Sequence, residues 1–243
     1  MRSSARLDFS RRVSPRELPE LMDGDCSYED FRDCLRSLER VNRWLLGYRP
    51  TLAWLDRLPG KLERPVQIVD VGSGGGDLLR QIAGWARRGA IAVQLTGVDL
   101  NPYASRAAAE FTPNELRIRW VTGDALQYSP EMQVDIDVVV SSLTAHHLED
   151  EEIIALLRWM ETTARLGWYI NDLERSERSS RMFGWVAGMA GWHQFVRHDG
   201  PVSFRRAFRE QDWTQLLAAA DIPRELVTLE HWRPGRLCVG RWK

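Results

Sequence analysis

The sequence predicts an α/β protein with a doubly wound, mostly parallel sheet, and three observations carry that prediction. At residues 67–77 the β-branched Ile68, Val69 and Val71 run into a loop of Gly72, Gly74, Gly75 and Gly76, which is how a strand buried on both faces ends in a tight turn. Directly after it Leu78, Leu79, Ile82 and Trp85 recur at helical spacing, so a helix N-terminus with unpaired N–H groups faces whatever the loop cradles. Further apolar strands alternate with helical segments through the rest of the chain.

The loop restricts its own ligand. Counted from Gly72, the third glycine of a dinucleotide-binding turn falls on Asp77, a carboxylate where a pyrophosphate would lie. No Gly-Lys-Ser/Thr follows the glycines, so the Walker-type loop fails as well. Asp70 and Asp77 flank bare backbone, an arrangement suited to a cationic ligand with an amino group, such as a sulfonium compound.

The stretch Asp70-Val-Gly72-Ser-Gly74-Gly-Gly76 resembles the first motif of the class I S-adenosylmethionine-dependent methyltransferases, and three later stretches fall in order where that family places its next motifs. The resemblance runs roughly from Pro65 to the C-terminus. It implies a Rossmann-like sheet of seven strands, S-adenosyl-L-methionine as cofactor, and cofactor contacts at Asp70, Gly72, Ser73, Gly74, Gly76, Asp99, Leu100, Asp124, Ala125 and Ser141. In that family's pattern Asp99, in Gly97-Val-Asp99-Leu-Asn101-Pro, accepts the ribose hydroxyls, and Asp124, after the third strand, accepts the adenine amino group.

At 243 residues the chain suits one α/β domain: an arm with cover helices over residues 1–60, then the methyltransferase domain over 61–243 with a lid insertion at 174–208. Hydrophobic content of 44% and charged content of 28% exclude a disordered or fibrous chain. A net charge of −1 supplies no global field for nucleic acid. Cys26, Cys34 and Cys238 form no zinc or disulfide pattern, so a reducing, cytoplasmic setting is expected. Arg11-Arg12 is not followed by the apolar run of a secretion signal, and no segment is apolar enough to span a membrane.

Taken in order, residues 1–20 are rich in Ser, Arg and Pro and read as a mobile, solvated arm. Ser27 and Asp30 cap a helix carrying Phe31, Leu35, Leu38, Val41 and Leu45, which Gly47 and Pro50 end. A short helix at 51–58 follows, and Pro59-Gly60 leads to the central strand. Strands are expected at 92–99, 116–122, 136–141 and 168–173, with helices at 102–111 and 151–162. In the insertion Met182, Trp185, Val186, Met189, Trp192 and Val196 predict one helix with an apolar stripe, weakened by Gly184, Gly188 and Gly191. A helix at 209–220 and strands at 224–232 and 236–242, joined through Pro234-Gly235, close the chain.

Methyl transfer from a sulfonium is an in-line displacement, and a hydroxyl nucleophile also needs a base. His146 follows strand four at the crevice mouth and is the first candidate, with His147 read as packing. His198, beside Asp199, ranks second, and His193 lies in the lid stripe. Asn171 and Asp172 offer two oxygens to a metal but no third carboxylate joins them, so metal-independent transfer is expected. Arg205, Arg206 and Arg209 read as a basic run at a helix start. The place after strand four holds Ser-Ser-Leu-Thr-Ala rather than the Asp/Asn-Pro-Pro-aromatic loop of amino-directed nucleobase methyltransferases, which argues against DNA. Aromatic residues and Met in the lid suit a small lipophilic acceptor such as a polyketide, phenol or quinone, methylated on oxygen or, second, on carbon. A non-catalytic cofactor-binding protein and an RNA methyltransferase are the alternative readings.

Overall fold

The computed structural model describes residues 8–24, 26–58, 63–128, 135–189 and 194–243. Five strands run parallel: β1 (Val66–Val71), β2 (Val93–Asp99), β3 (Arg119–Thr122), β4 (Val138–Ser142) and β5 (Gly167–Leu173). The final pair, β6 (Thr228–Trp232) and β7 (Arg236–Trp242), forms a hairpin whose β7 docks antiparallel on β5. The sheet order is β3-β2-β1-β4-β5-β7-β6, and its seven mostly parallel strands are the sheet expected from the sequence. Because β2 and β4 lie on opposite sides of β1, the connections diverge there and leave a crevice at the strands' carboxyl ends.

Strand alternation divides the core into two layers. Val69, Val139 and Ile170 pack on one face with Ile153 and Leu157 of α5 (Asp150–Thr163) and Trp213 and Leu217 of α8 (Glu210–Ala219). Their neighbours Ile68, Val138 and Tyr169 pack on the other with Leu79 and Ile82 of α3 (Asp77–Arg88) and Trp54 of α2 (Arg49–Leu55). Between β2 and β3, α4 (Pro102–Phe111) starts where the Asn101 side chain accepts the Tyr103 N–H at 2.9 Å. The cover helix α1 (Tyr28–Trp44) is capped by Ser27, which accepts the Asp30 N–H at 3.1 Å. Pro50, expected to end α1, instead opens α2 in its first turn, where a missing N–H costs nothing.

Three expectations are corrected. The insertion is two helices, α6 (Glu177–Met189) and α7 (Gln194–Arg206); Gly191, Trp192 and His193 fall outside the described residues, as does Pro59-Gly60. Gly200 lets the two helices close on each other, because a Cβ there would meet the Phe183 ring at 1.9 Å. Arg205 and Arg206 end α7 rather than start a helix, so their charge agrees with the helix dipole. Finally, the described part of the arm is docked, with Phe9 and Val13 buried. Its Arg12 donates to the carbonyls of Arg206 at 2.9 Å and Leu148 at 2.5 Å and pairs with Asp150. Composition hid this because a long arginine buries its stem while its head satisfies carbonyls. Among the described residues no helix is long and apolar enough to cross a membrane.

Candidate active site

A cavity of about 660 Å³ opens at the carboxyl ends of β1, β2 and β4. Its floor is the glycine loop, where Gly72, Gly74 and Gly76 hold φ of 70°, 49° and 73°, values that L side chains rarely adopt. Added Cβ atoms would strike Thr144 at 2.3 Å from Gly72 and Trp120 at 2.2 Å from Gly76. The loop is therefore bare backbone pressed between two side chains, with Gly76 forming the N-cap of α3.

Three carboxylates surround it. Asp99 accepts the N–H of Gly74 and of Asn101, both at 2.9 Å, yet burial still pushes its pKa up. Asp77 accepts the Tyr48 hydroxyl at 2.7 Å and the Asn42 amide at 3.1 Å. Asp70 is 2% exposed, its Oδ1 has no hydrogen-bond partner, and burial followed by the charges of Asp77 and Asp99 pushes its pKa well above the usual carboxylate range. Among the described residues no ion pair neutralises any of the three. An orphaned, buried carboxylate beside bare backbone fits a ligand that brings its own positive charge.

The other expected cofactor residues distribute unevenly. Ser73, Leu100, Asp124 and Ala125 line the cavity, Leu100 at 70% exposure on the rim. Asp124 caps a short turn by accepting the Leu126 N–H at 2.9 Å. Ser141 lies beneath the floor, fully buried, its hydroxyl donating to the Val71 carbonyl at 2.9 Å and tying β4 to β1. Ser142, Leu143 and Thr144 line the cavity in its stead.

A second cavity of about 120 Å³ adjoins the first through the shared walls of Met22, Leu38, Asn42, Leu143 and His147. Leu38 and Val41 of α1, Phe183 of α6 and Phe195, Val196 and Phe204 of α7 make it largely apolar. His146 lines it at 3% exposure, with Nδ1 2.7 Å from Asp172 Oδ1 and its peptide N–H donating to Oδ2 at 3.2 Å. Asp172 is fully buried and also accepts the Leu173 N–H at 2.7 Å. Burial alone would raise its pKa, but the His146 charge and hydrogen bond outweigh this and hold it low. A carboxylate only accepts, so Nδ1 carries a proton, and in the neutral imidazole the lone pair is on Nε2. Asp172, considered on sequence only for metal, is thus the partner of His146.

His147 also does more than pack. Its ring lies 4.3 Å from that of His146, Nε2 is 3.7 Å from Glu20 and Nδ1 is 3.5 Å from Arg206. Ligand atoms of Glu20, His146 and His147 come within 4.8 Å of one another. Glu20 is already met by the buried Arg206 guanidinium at 3.2 Å and by the Ser203 hydroxyl at 2.7 Å, so a divalent ion there would sit against a fixed cation. Glu20 comes from the arm and no sequence spacing links it to the histidines. His198 lines neither cavity; it is half exposed, with Nδ1 2.9 Å from Asp199 Oδ1. Asp199 in turn accepts the N–H groups of Leu21 and Met22 at 2.9 and 3.2 Å, fastening the arm over α7.

Comparison with known proteins agrees with the fold. A family model described as a methyltransferase domain matches residues 68–167. The plantazolicin methyltransferase BpumL, solved with S-adenosylhomocysteine, is similar at a TM-score of 0.60 and 16% identity, over 88% of this chain and 95% of its own. Human N-acetylserotonin methyltransferase, solved with S-adenosylmethionine, gives 0.61 and 16% over 89% of this chain and 56% of its own. The magnesium protoporphyrin IX methyltransferase of Synechocystis gives 0.52 and 16% over 91% and 89%. No curated protein sequence matches the chain.

Proposed function

We propose, from the premise that this chain is a class I S-adenosyl-L-methionine-dependent methyltransferase, that it methylates an oxygen of a small aromatic acceptor and that His146 is the base. The single observation carrying the proposal is the His146–Asp172 pair at 2.7 Å, buried where the crevice meets an apolar chamber. The cofactor supplies an electrophilic methyl carbon on a cationic sulfur.

The chain's own groups supply the rest. On this reading the glycine backbone lets the ligand approach closely, Asp99 takes the ribose hydroxyls, Asp124 the adenine amino group, and Asp70 and Asp77 the amino group and positive charge; all four aspartates line the crevice. Asp172 fixes the tautomer of His146, and His146 Nε2 takes the hydroxyl proton as the oxygen attacks. Asp172 then stabilises the imidazolium. The apolar walls exclude water and align the acceptor. The lipophilic surroundings speak for an aromatic acceptor such as a phenol or phenolic polyketide.

Incubating the protein with methyl-labelled cofactor and a panel of phenols, catechols and hydroquinones tests this. A methyl ether whose formation depends on His146 is expected. Label found only on carbon or nitrogen, or equal rates for wild type and His146→Ala, would discard the reading.

A further inference from the structure

Among the described residues three charged side chains line the chamber besides the histidines: Glu20, Asp199 and Arg236. Glu20 is met by Arg206, and Asp199 by two backbone N–H groups and His198. Arg236 differs. It is 6% exposed, and its hydrogen-bond partners among the described residues are neutral: it donates to Asn171 Oδ1 and to Asn42 Oδ1, each at 3.1 Å.

The carboxylates acting on it from a distance are Asp172 and Asp77, and both are committed elsewhere. Asp172 holds His146, while Asp77 takes the Tyr48 hydroxyl and the Asn42 amide. Asn42 stands between charges, its Nδ2 on Asp77 and its Oδ1 on Arg236. Burial pushes the Arg236 pKa down, as expected for a charge short of compensation. A guanidinium has five N–H donors, and the bonds to Asn171 and Asn42 use two of them. Keeping such a charge buried against neutral amides is costly, and the cost is recovered if the chamber's occupant brings the counter-charge.

We propose that Arg236 binds an anionic group of the acceptor, a carboxylate or comparably acidic oxygen, so that the substrate is a single-ring hydroxylated aromatic acid rather than a neutral lipophile. The proposal rests on reading the chamber as the acceptor site. Size agrees: about 120 Å³ is close to the roughly 150 Å³ apolar cavity that takes up benzene, room for one ring with short substituents. His146 and Arg236 both line it, so a ring can present its hydroxyl to one and its acid to the other. Glu20 is paired with Arg206 and Asp199 is held by two backbone N–H groups and His198, which leaves the guanidinium to set the preference.

Calorimetric titration of the protein loaded with S-adenosylhomocysteine, using benzoate and phenol as probes at pH 8, tests the assignment. Wild type is expected to bind benzoate at least about tenfold more tightly than phenol, a modest gain for a charge-assisted pair. Arg236→Gln should abolish that preference and leave phenol binding unchanged, whereas Arg236→Lys should keep part of it. His146→Ala should retain it, which separates Arg236 from an imidazolium. Equal affinities in wild type, no binding of benzoate, or a preference surviving in folded Arg236→Gln would each overturn the proposal. Should Arg236→Gln fail to fold for want of its bonds to Asn42 and Asn171, the wild-type ratio and Arg236→Lys decide. Failure of the base assignment looks different: His146→Ala would turn over normally with the benzoate preference intact.

Discussion

The crevice and the chamber each have a buried aspartate near the carboxyl end of a parallel strand, Asp70 on β1 and Asp172 on β5, and the two are pushed in opposite directions. Asp70 has an oxygen without a partner and faces two further carboxylates, so the protein alone disfavours its ionised form. Asp172 has the His146 imidazole in place at 2.7 Å as hydrogen-bond partner, and its pKa is held low. Burial is shared by both, so neighbours decide the sign. On the proposed reading, the cation-binding site is left short of positive charge until the ligand arrives, while the proton-transfer site has its aspartate partnered beforehand.

The largest effects should come from breaking the compensated side. His146→Ala should lower turnover by roughly two to four powers of ten, the usual worth of a positioned base, with cofactor affinity near wild type. Asp172→Asn should fall in the same range, because an amide can donate to Nδ1 and favour the wrong tautomer. Steady-state rates at saturating cofactor, with cofactor affinity measured separately, distinguish the two regions. A large affinity loss in either variant would mean that they are not separable. Asp172→Asn also carries a pH signature. A carboxylate held low stabilises the fold above its unfolded value near 3.9. That contribution disappears as pH falls through the folded value, so wild type and variant should converge in stability in acid.

The uncompensated side should respond with the opposite sign. Asp70→Asn removes a buried carboxyl whose ionised form lacks an ion-pair partner and should raise the stability of the cofactor-free protein at neutral pH by about 1–3 kcal/mol, while weakening cofactor binding. For a carboxyl held high, the stabilising contribution is complete below about pH 3.9 and is lost as pH rises through the folded value. The gain in melting temperature should therefore grow from acid toward neutrality. A variant less stable than wild type at pH 7 would refute the reading of Asp70 as an unmet charge. Asp99→Ala should cost about 1–3 kcal/mol of cofactor affinity, the price of removing a charged acceptor, as calorimetry would show.

Legibility in the sequence follows the same division. The crevice is written in short segments, with Asp70 to Asp77 contiguous and Asp99 and Asp124 at the ends of the next two strands, so backbone logic finds it. The chamber draws Glu20 from the arm, Asn42 from α1, His146 from the loop after β4 and Arg236 from β7, and no spacing rule joins them. His146 was visible through its place after a strand. Asp172 was visible as a strand-end residue without its role, because adjacency of β4 and β5 is a property of the sheet. The arm read as solvated because its arginines are counted as surface residues, although the Arg12 side chain is only 9% exposed and donates to the Arg206 carbonyl at the end of α7. The split between α6 and α7 was hidden by an apolar stripe that continues across the glycines.

The smallest expected effect concerns His198, the candidate base that lines neither cavity. Its resemblance to His146 is close on paper, since each imidazole presents Nδ1 to an aspartate, at 2.9 Å for His198 and 2.7 Å for His146. Their surroundings differ in two ways. The His198 side chain is 54% exposed, against 4% for His146, so its contact with Asp199 is open to water. Asp199 is also held by two backbone N–H groups of the arm, so it keeps its orientation without the imidazole. His198→Ala should therefore change stability by no more than about 0.5 kcal/mol, as for most exposed sites, and turnover by less than about threefold. Asp199→Ala should do more, because it releases Leu21 and Met22 and with them the segment that delivers Glu20 to the chamber. Thermal melts and rates on the two variants side by side check this, and a loss in His198→Ala matching that of His146→Ala would place proton transfer on α7 instead.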